Sequence, residues 1–156
     1  MNRRQYISIG SACAISSVAG CLSLFESDVQ LASITAMSSY DEERTIEIRV
    51  LDDGSEIQHS ELHLDPPELV DGRGRVVSGE KVKCEWDSKP KPYTIEARLG
   101  DEWESLDVAS EADADCVFVA ILVGFSPGPD MEFHVYPCED LDASDNEHVC
   151  GFVDLD

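Results

Sequence analysis

CVFVAILVGF, residues 116–125, runs into SPGPD (126–130) and MEFHVYP (131–137), and this stretch decides how the 156-residue chain folds. The first run is apolar throughout and rich in β-branched residues. That composition suits a central strand covered on both faces, with a buried helix as the alternative. The second run is a turn cluster. The third alternates, with Met131, Phe133 and Val135 set against Glu132, His134 and Tyr136, the period of a half-buried strand. Together they predict a hairpin. Pairing centred on Pro127 opposes Val119 to Val135, Ile121 to Phe133 and Val123 to Met131, and brings Cys116 opposite Cys138 at the open end. Opposed residues lie about 4.5–5.5 Å apart at Cα, within the span of a disulfide.

Outward from the hairpin the same period recurs. TIEIRV (45–50) sets Ile46, Ile48 and Val50 against Glu47 and Arg49. IQHSELHLD (57–65) sets Leu62 and Leu64 against His59, Glu61, His63 and Asp65. KVKCEW (81–86), YTIEARL (93–99) and SLDVA (105–109) continue it, separated by the turn clusters DDGS, DPPE, DGRG, DSKPKP and LGDE. No long amphipathic helix and no internal repeat interrupts the pattern. It reads as an all-β fold, an immunoglobulin-like antiparallel β-sandwich of about seven to nine strands, with a barrel as the alternative. One domain accounts for the length.

The chain holds 11 Lys+Arg against 33 Asp+Glu, a net −22. Its 42% hydrophobic content, gathered in short runs, separates it from acidic disordered chains. Such a charge makes the domain repel itself unless salt screens it, and the Debye length falls to about 3 Å in molar salt. The composition therefore suits an extremely saline medium. Nucleic acid is excluded as a partner, because its recognition needs a basic footprint.

At the other end of the chain, MNRRQYISIGSACAISSVAGC joins Arg3 and Arg4 to an uncharged stretch too short for a bilayer span, which takes about 20 apolar residues. Asn2-Arg3-Arg4-Gln5-Tyr6-Ile7 resembles the twin-arginine export motif, departing from it at Asn2, Tyr6, Ile7 and Ser8. Val18-Ala19-Gly20-Cys21 resembles a lipobox, with Val18 at its most permissive position. With the acidity, these segments make the chain similar to small exported lipoproteins of halophilic archaea. The resemblance implies a signal peptide over 1–20, a lipidated Cys21, a tether over 21–28 and a domain over 29–156. It implies a protein held to the outer face of the cell membrane by its lipid. Without the signal's two arginines, nine basic residues face 33 acids, a net −24.

Cys84, Cys116, Cys138 and Cys150 remain, an even number that suits two disulfides in an exported domain. The hairpin register favours Cys116–Cys138, which leaves Cys84–Cys150 to tie down the C-terminal segment. No paired C-x2-4-C spacing points to zinc.

Candidate chemistry is sparse. His59, Glu61 and His63 share a strand face and are weak metal-ligand candidates, because His59 and His63 stand roughly 13 Å apart on an extended strand. Blue copper fits poorly: Cys138 is ten residues from His148, and Met131 is the last methionine. No nucleophile elbow, S-x-x-K motif or phosphate loop is present, so no catalytic set is expected, and no cofactor. Arg73, Arg75, Lys81, Lys83, Lys89 and Lys91 lie among only Glu80, Glu85 and Asp87, a net +3 window. It reads as a docking surface for an acidic surface or protein, as protection of an edge strand, or as cations paired with the protein's own acids. Trp86, two residues after Cys84, reads as a core residue packed near a disulfide, and Trp103, after the acidic turn, as a core residue or a partly exposed one. The expected role is binding or structural and not catalytic. The alternative is a small solute- or metal-binding lipoprotein associated with transport.

Overall fold

The computed structural model describes residues 28–153. Arg3 and Arg4, the rest of segment 1–20, Cys21 and all of the tether but Asp28 lie outside the described residues. In chain order the strands are β1 (Gln30–Ser38), β2 (Arg44–Asp52), β3 (Ser55–Leu64), β4 (Glu68–Val70), β5 (Gly74–Val76), β6 (Gly79–Lys81), β7 (Tyr93–Arg98), β8 (Trp103–Asp107), β9 (Cys116–Val123) and β10 (Met131–Pro137). A single helical turn, α1 (Val108–Glu111), follows β8. Two four-stranded sheets, ordered β10-β9-β1-β6 and β3-β2-β7-β8, make an all-β sandwich, and β4–β5 form a separate ribbon.

Period-two alternation builds the core between the sheets. Ile34, Val119, Ile121 and Val123 from the first sheet meet Ile46, Ile48, Val50 and Ile95 from the second, all fully buried. Each contributes roughly 1.5–3 kcal/mol on leaving water. The β9–β10 register is the expected one: Val119 faces Val135, Ile121 faces Phe133 and Val123 faces Met131. Both disulfides form as expected, Cys116–Cys138 with Cα atoms 5.4 Å apart and Cys84–Cys150 at 5.7 Å.

Three expectations need correction. The sandwich is not wholly antiparallel, because β1 pairs with β9 in parallel. A parallel pair needs a long crossover, and the whole second sheet lies between these strands in sequence. KVKCEW is not a strand beyond Lys81. The ladder continues only as far as the Val82 N–H, which donates to the Ile34 carbonyl at 2.9 Å. After that, side chains replace it. Gln58 Nε2 donates to the Lys83 carbonyl at 2.6 Å, and its Oε1 accepts the Glu85 N–H at 3.2 Å. SLDVA is also divided, because β8 ends at Asp107 and Val108 opens α1.

β1 gives no alternation signal because a bulge interrupts it between Leu31 and Ser33. The bulge places two carbonyls where other segments use them: Leu31 O accepts from Trp86 Nε1 and Ala32 O from the Cys150 N–H, both at 2.7 Å. Trp86 is a core residue, as expected. The central strand β9 buries one face completely and half-buries the other. A segment running from Cys138 to Cys150 in 3-10 turns lies over that second face.

Candidate functional site

The outer face of the β3-β2-β7-β8 sheet carries His59, Glu61 and His63 together with the outward charges of β2 and β7. Strand register aligns Glu61, Glu47, Arg98 and Trp103 in one row and His59, Arg49, Glu96 and Ser105 in the next. Arg98 donates to Glu47 Oε1 at 2.6 Å, and His59 Nε2 lies 3.1 Å from Glu47 Oε2. The Arg98 hydrogen bond holds the Glu47 carboxyl below the usual carboxylate range; burial opposes it with a smaller effect, and His59 adds a smaller pull in the same direction as Arg98. Arg49 reaches Glu96 at 3.5 Å. Trp103 is not a core residue. It lies half-exposed beneath two guanidinium groups, with Arg49 Cζ 3.7 Å and Arg98 Cζ 4.6 Å from its ring centroid. The cause is register: two outward arginines flank the row in which Trp103 faces Arg98.

His63 points outward on the same face, but toward different partners, Thr45 Oγ1 at 3.1 Å and Glu61 Oε1 at 3.6 Å. His59, Glu61 and His63 therefore share a face without converging on a point. His134 lies on the other sheet beside Glu132, and His148 lies on the C-terminal segment. Among the described residues no three His, Cys, Asp or Glu side chains are placed to hold one metal ion.

The six cations of 73–91 do not form one patch. Residues 79–91 run antiparallel beside β1, from Met37 opposite Gly79 to Val29 opposite Lys91. Lys81, Lys83, Lys89 and Lys91 are therefore strung along one edge, while Arg73 and Arg75 lie on the β4–β5 ribbon. Arg75 is tied to Asp41 at 2.6 Å, and Lys91 to Asp52 at 3.2 Å and Asp87 at 3.4 Å. Asp52 is the main reason the Lys91 ammonium holds its proton above the usual lysine range. Lys81 Nζ donates to the Val149 carbonyl at 3.3 Å. Among the described residues Arg73, Lys83 and Lys89 have no ion-pair partner.

The ends of the sandwich differ more than its faces do. At the near pole the described chain begins, with Val29 bridged to Lys91 beside the β2–β3 turn. The far pole lies one length of β1 away, about 30 Å for its nine residues. The connections 39–43, 65–78, 99–102 and 124–130 gather there. Tyr40 Oη donates to Asp130 Oδ1 at 2.9 Å, and Arg75 donates to the Ser39 carbonyl at 2.5 Å. Gly124, at φ +76°, lets the chain turn against the Tyr40 ring, 2.8 Å from where a Cβ would stand. Exposed apolar side chains concentrate here: Leu69 (86%), Phe125 (42%), Val70 and Val76 (38% each). Beside them Arg44, Leu99, Asp101, Glu102 and Asp130 line an open cleft of about 510 Å³.

Neither the periodicity nor the charge pattern singles out this pole. The available signal is three apolar residues, Leu69, Val70 and Val76, interleaved with turn glycines at Gly72 and Gly74 where no core face could be assigned.

Fold and surface together define a disulfide-stapled β-sandwich that presents loops, with the arginines of one sheet face paired to neighbouring acids. Known protein families, characterised proteins and solved structures offer no match to this chain.

Proposed function

We propose that this is a lipid-anchored cell-surface protein whose role is binding or structural and not catalytic. The observation that carries the reading is the opposition of the two poles. The chain leading back to Cys21 joins at one end, and the exposed apolar loops lie at the other. Residues 22–28 span at most about 25 Å when extended. A lipid on Cys21 would therefore keep the near pole close to the membrane and turn the far pole outward. Leu69, Val70, Val76 and Phe125 suit a protein partner that is apolar at the centre of the contact.

The test has two parts. Cys21→Ser moves the protein from the membrane fraction to the medium, and the parent shows the mass of a lipidated chain beginning at Cys21. The same fraction and an unlipidated mass for both would refute anchoring. A photo-crosslinker at Leu69 gives a discrete adduct on intact cells, whereas one at Ile57, an exposed apolar residue near the other pole, gives none. Equal labelling from both sites would refute the far pole as the contact surface.

A further inference from the structure

We infer that the space beneath the C-terminal segment is a binding site for a compact, uncharged, largely apolar molecule carrying one hydrogen-bonding group. The site is separate from the far pole and does not depend on the anchor. Cys138–Cys150 forms a strap tied down at both ends, to β9 through Cys116 and to the 82–86 segment through Cys84. It crosses the outward face of the β10-β9-β1-β6 sheet and leaves a partly open cavity of about 230 Å³ against it. Phe118, Ala120 and Thr35 form the floor, and Met37 and Leu141 the walls.

The space exists because two of its positions are small. Ala120 sits opposite Thr35 in the parallel pair, where a longer side chain would rise into the cavity. Gly79 adds no side chain, and a Cβ there would stand 2.8 Å from Thr35 Cγ2. Because covalent bonds hold both ends of the strap, the cavity is pre-formed, and binding need not first order it.

The lining sets the ligand's chemistry. The volume suits a molecule of one ring, since an engineered cavity of about 150 Å³ accepts benzene. Its apolar floor and walls favour a ring or a short branched chain. Polar groups are few: the Thr35 hydroxyl in the floor, Ser33, only 2% exposed, and His148 and Asp145 on the strap. Asp145 is fixed, because its Oδ2 accepts the Asp142 N–H at 2.8 Å within the strap's own turn. An anionic ligand would have to shed its water in an apolar space beside that carboxylate. A hydroxyl or amide is suited to Ser33 or His148 at no such cost.

p-Cresol, with 4-hydroxyphenylacetamide and its anionic isostere 4-hydroxyphenylacetate as a size-matched pair, tests this on the full chain in high salt, followed by methyl NMR. p-Cresol produces saturable shifts at Ala120, Thr35, Met37 and Leu141, and 4-hydroxyphenylacetate binds at least tenfold more weakly than the amide. Ala120→Leu, with both disulfides intact, abolishes the p-cresol shifts. Ser33→Ala, which leaves the volume nearly unchanged, weakens binding several-fold with the same residues shifting. No saturable shift at these methyls would overturn the site, as would shifts that survive Ala120→Leu. Equal binding of the amide and the acid would overturn the ligand class. Binding seen only after deletion of residues 22–27 would also overturn it, by making the chain's own Leu22–Phe25 the occupant.

Discussion

Gln58→Met removes a set of hydrogen bonds and opens almost no space. Gln58 is 6% exposed, and its amide organises a stretch that has no strand partner. Nε2 donates to the Lys83 carbonyl at 2.6 Å and to Ser60 Oγ at 3.1 Å, while Oε1 accepts the Glu85 N–H at 3.2 Å. Methionine matches glutamine in length, so the loss isolates the polar contacts. Each main-chain group left without a partner costs about 1–3 kcal/mol when buried. These two are partly buried, which puts the total for Gln58→Met at about 2–3 kcal/mol. Gln58→Ala loses the packing of the side chain as well, on the order of 1 kcal/mol more. Denaturant unfolding at constant high salt measures both, with a lower midpoint and an unchanged slope. Hydrogen exchange adds a local readout, because the Glu85 amide exchanges faster in Gln58→Met. The reasoning is refuted if Gln58→Met stays within about 0.5 kcal/mol of the parent, the range of a neutral surface change, and the Glu85 amide is as protected as before.

Loop lengths rank the disulfides. Sequence separations of 66 for Cys84–Cys150 and 22 for Cys116–Cys138 correspond to about 4.4 and 3.4 kcal/mol of loop entropy. Replacing the first pair by alanine should therefore destabilise more, and equal or reversed losses on denaturation would contradict that ordering. Acid should loosen the strap. The Ser144 hydroxyl and then its backbone N–H hold the Asp142 carboxyl below the usual aspartate range. A depressed folded-state value means the stabilisation is present above the ordinary pKa of about 3.9 and is lost as pH falls through the lowered one. Leu141 methyl resonances should move over that window in the parent and much less in Asp142→Asn; identical titrations would rule out the mechanism. The net −22 charge predicts a melting temperature that climbs between about 0.1 M and several molar salt as screening shortens from about 10 Å to 3 Å or less. A flat profile in KCl would contradict self-repulsion as the controlling force.

Much of the fold was legible because one face of nearly every strand is core. Ile46-Ile48-Val50 and the β9–β10 register follow from period two alone, and the register carried the Cys116–Cys138 pairing with it. β1 was not legible: its bulge breaks the period, and its parallel partner lies far along the chain. KVKCEW misled because Val82 and Trp86 are buried by side-chain hydrogen bonding around them and not by a ladder. Trp103 misled in the opposite direction, since a tryptophan beneath two arginines looks in sequence like one in a core. The positive window kept its sign but not its unity, because proximity in sequence became extension along an edge. The cavity under the strap had no sequence signature. It arises where Ala120 and Gly79 happen to face a segment held above them by two crosslinks.

The position of β1 has a consequence for the order of folding. The first strand to be synthesised lies inside its sheet, with β9 on one side and β6 on the other. Its main partner is not complete until Val123 has been made, so the first sheet cannot close on a growing chain. The second sheet can form earlier, since all its strands lie between Arg44 and Asp107. Folding should therefore proceed from the middle of the chain outward, at the slow pace of non-local strand pairing. Any machinery that waits for a folded domain before acting on the amino terminus would find in β1 a direct report that the domain is complete.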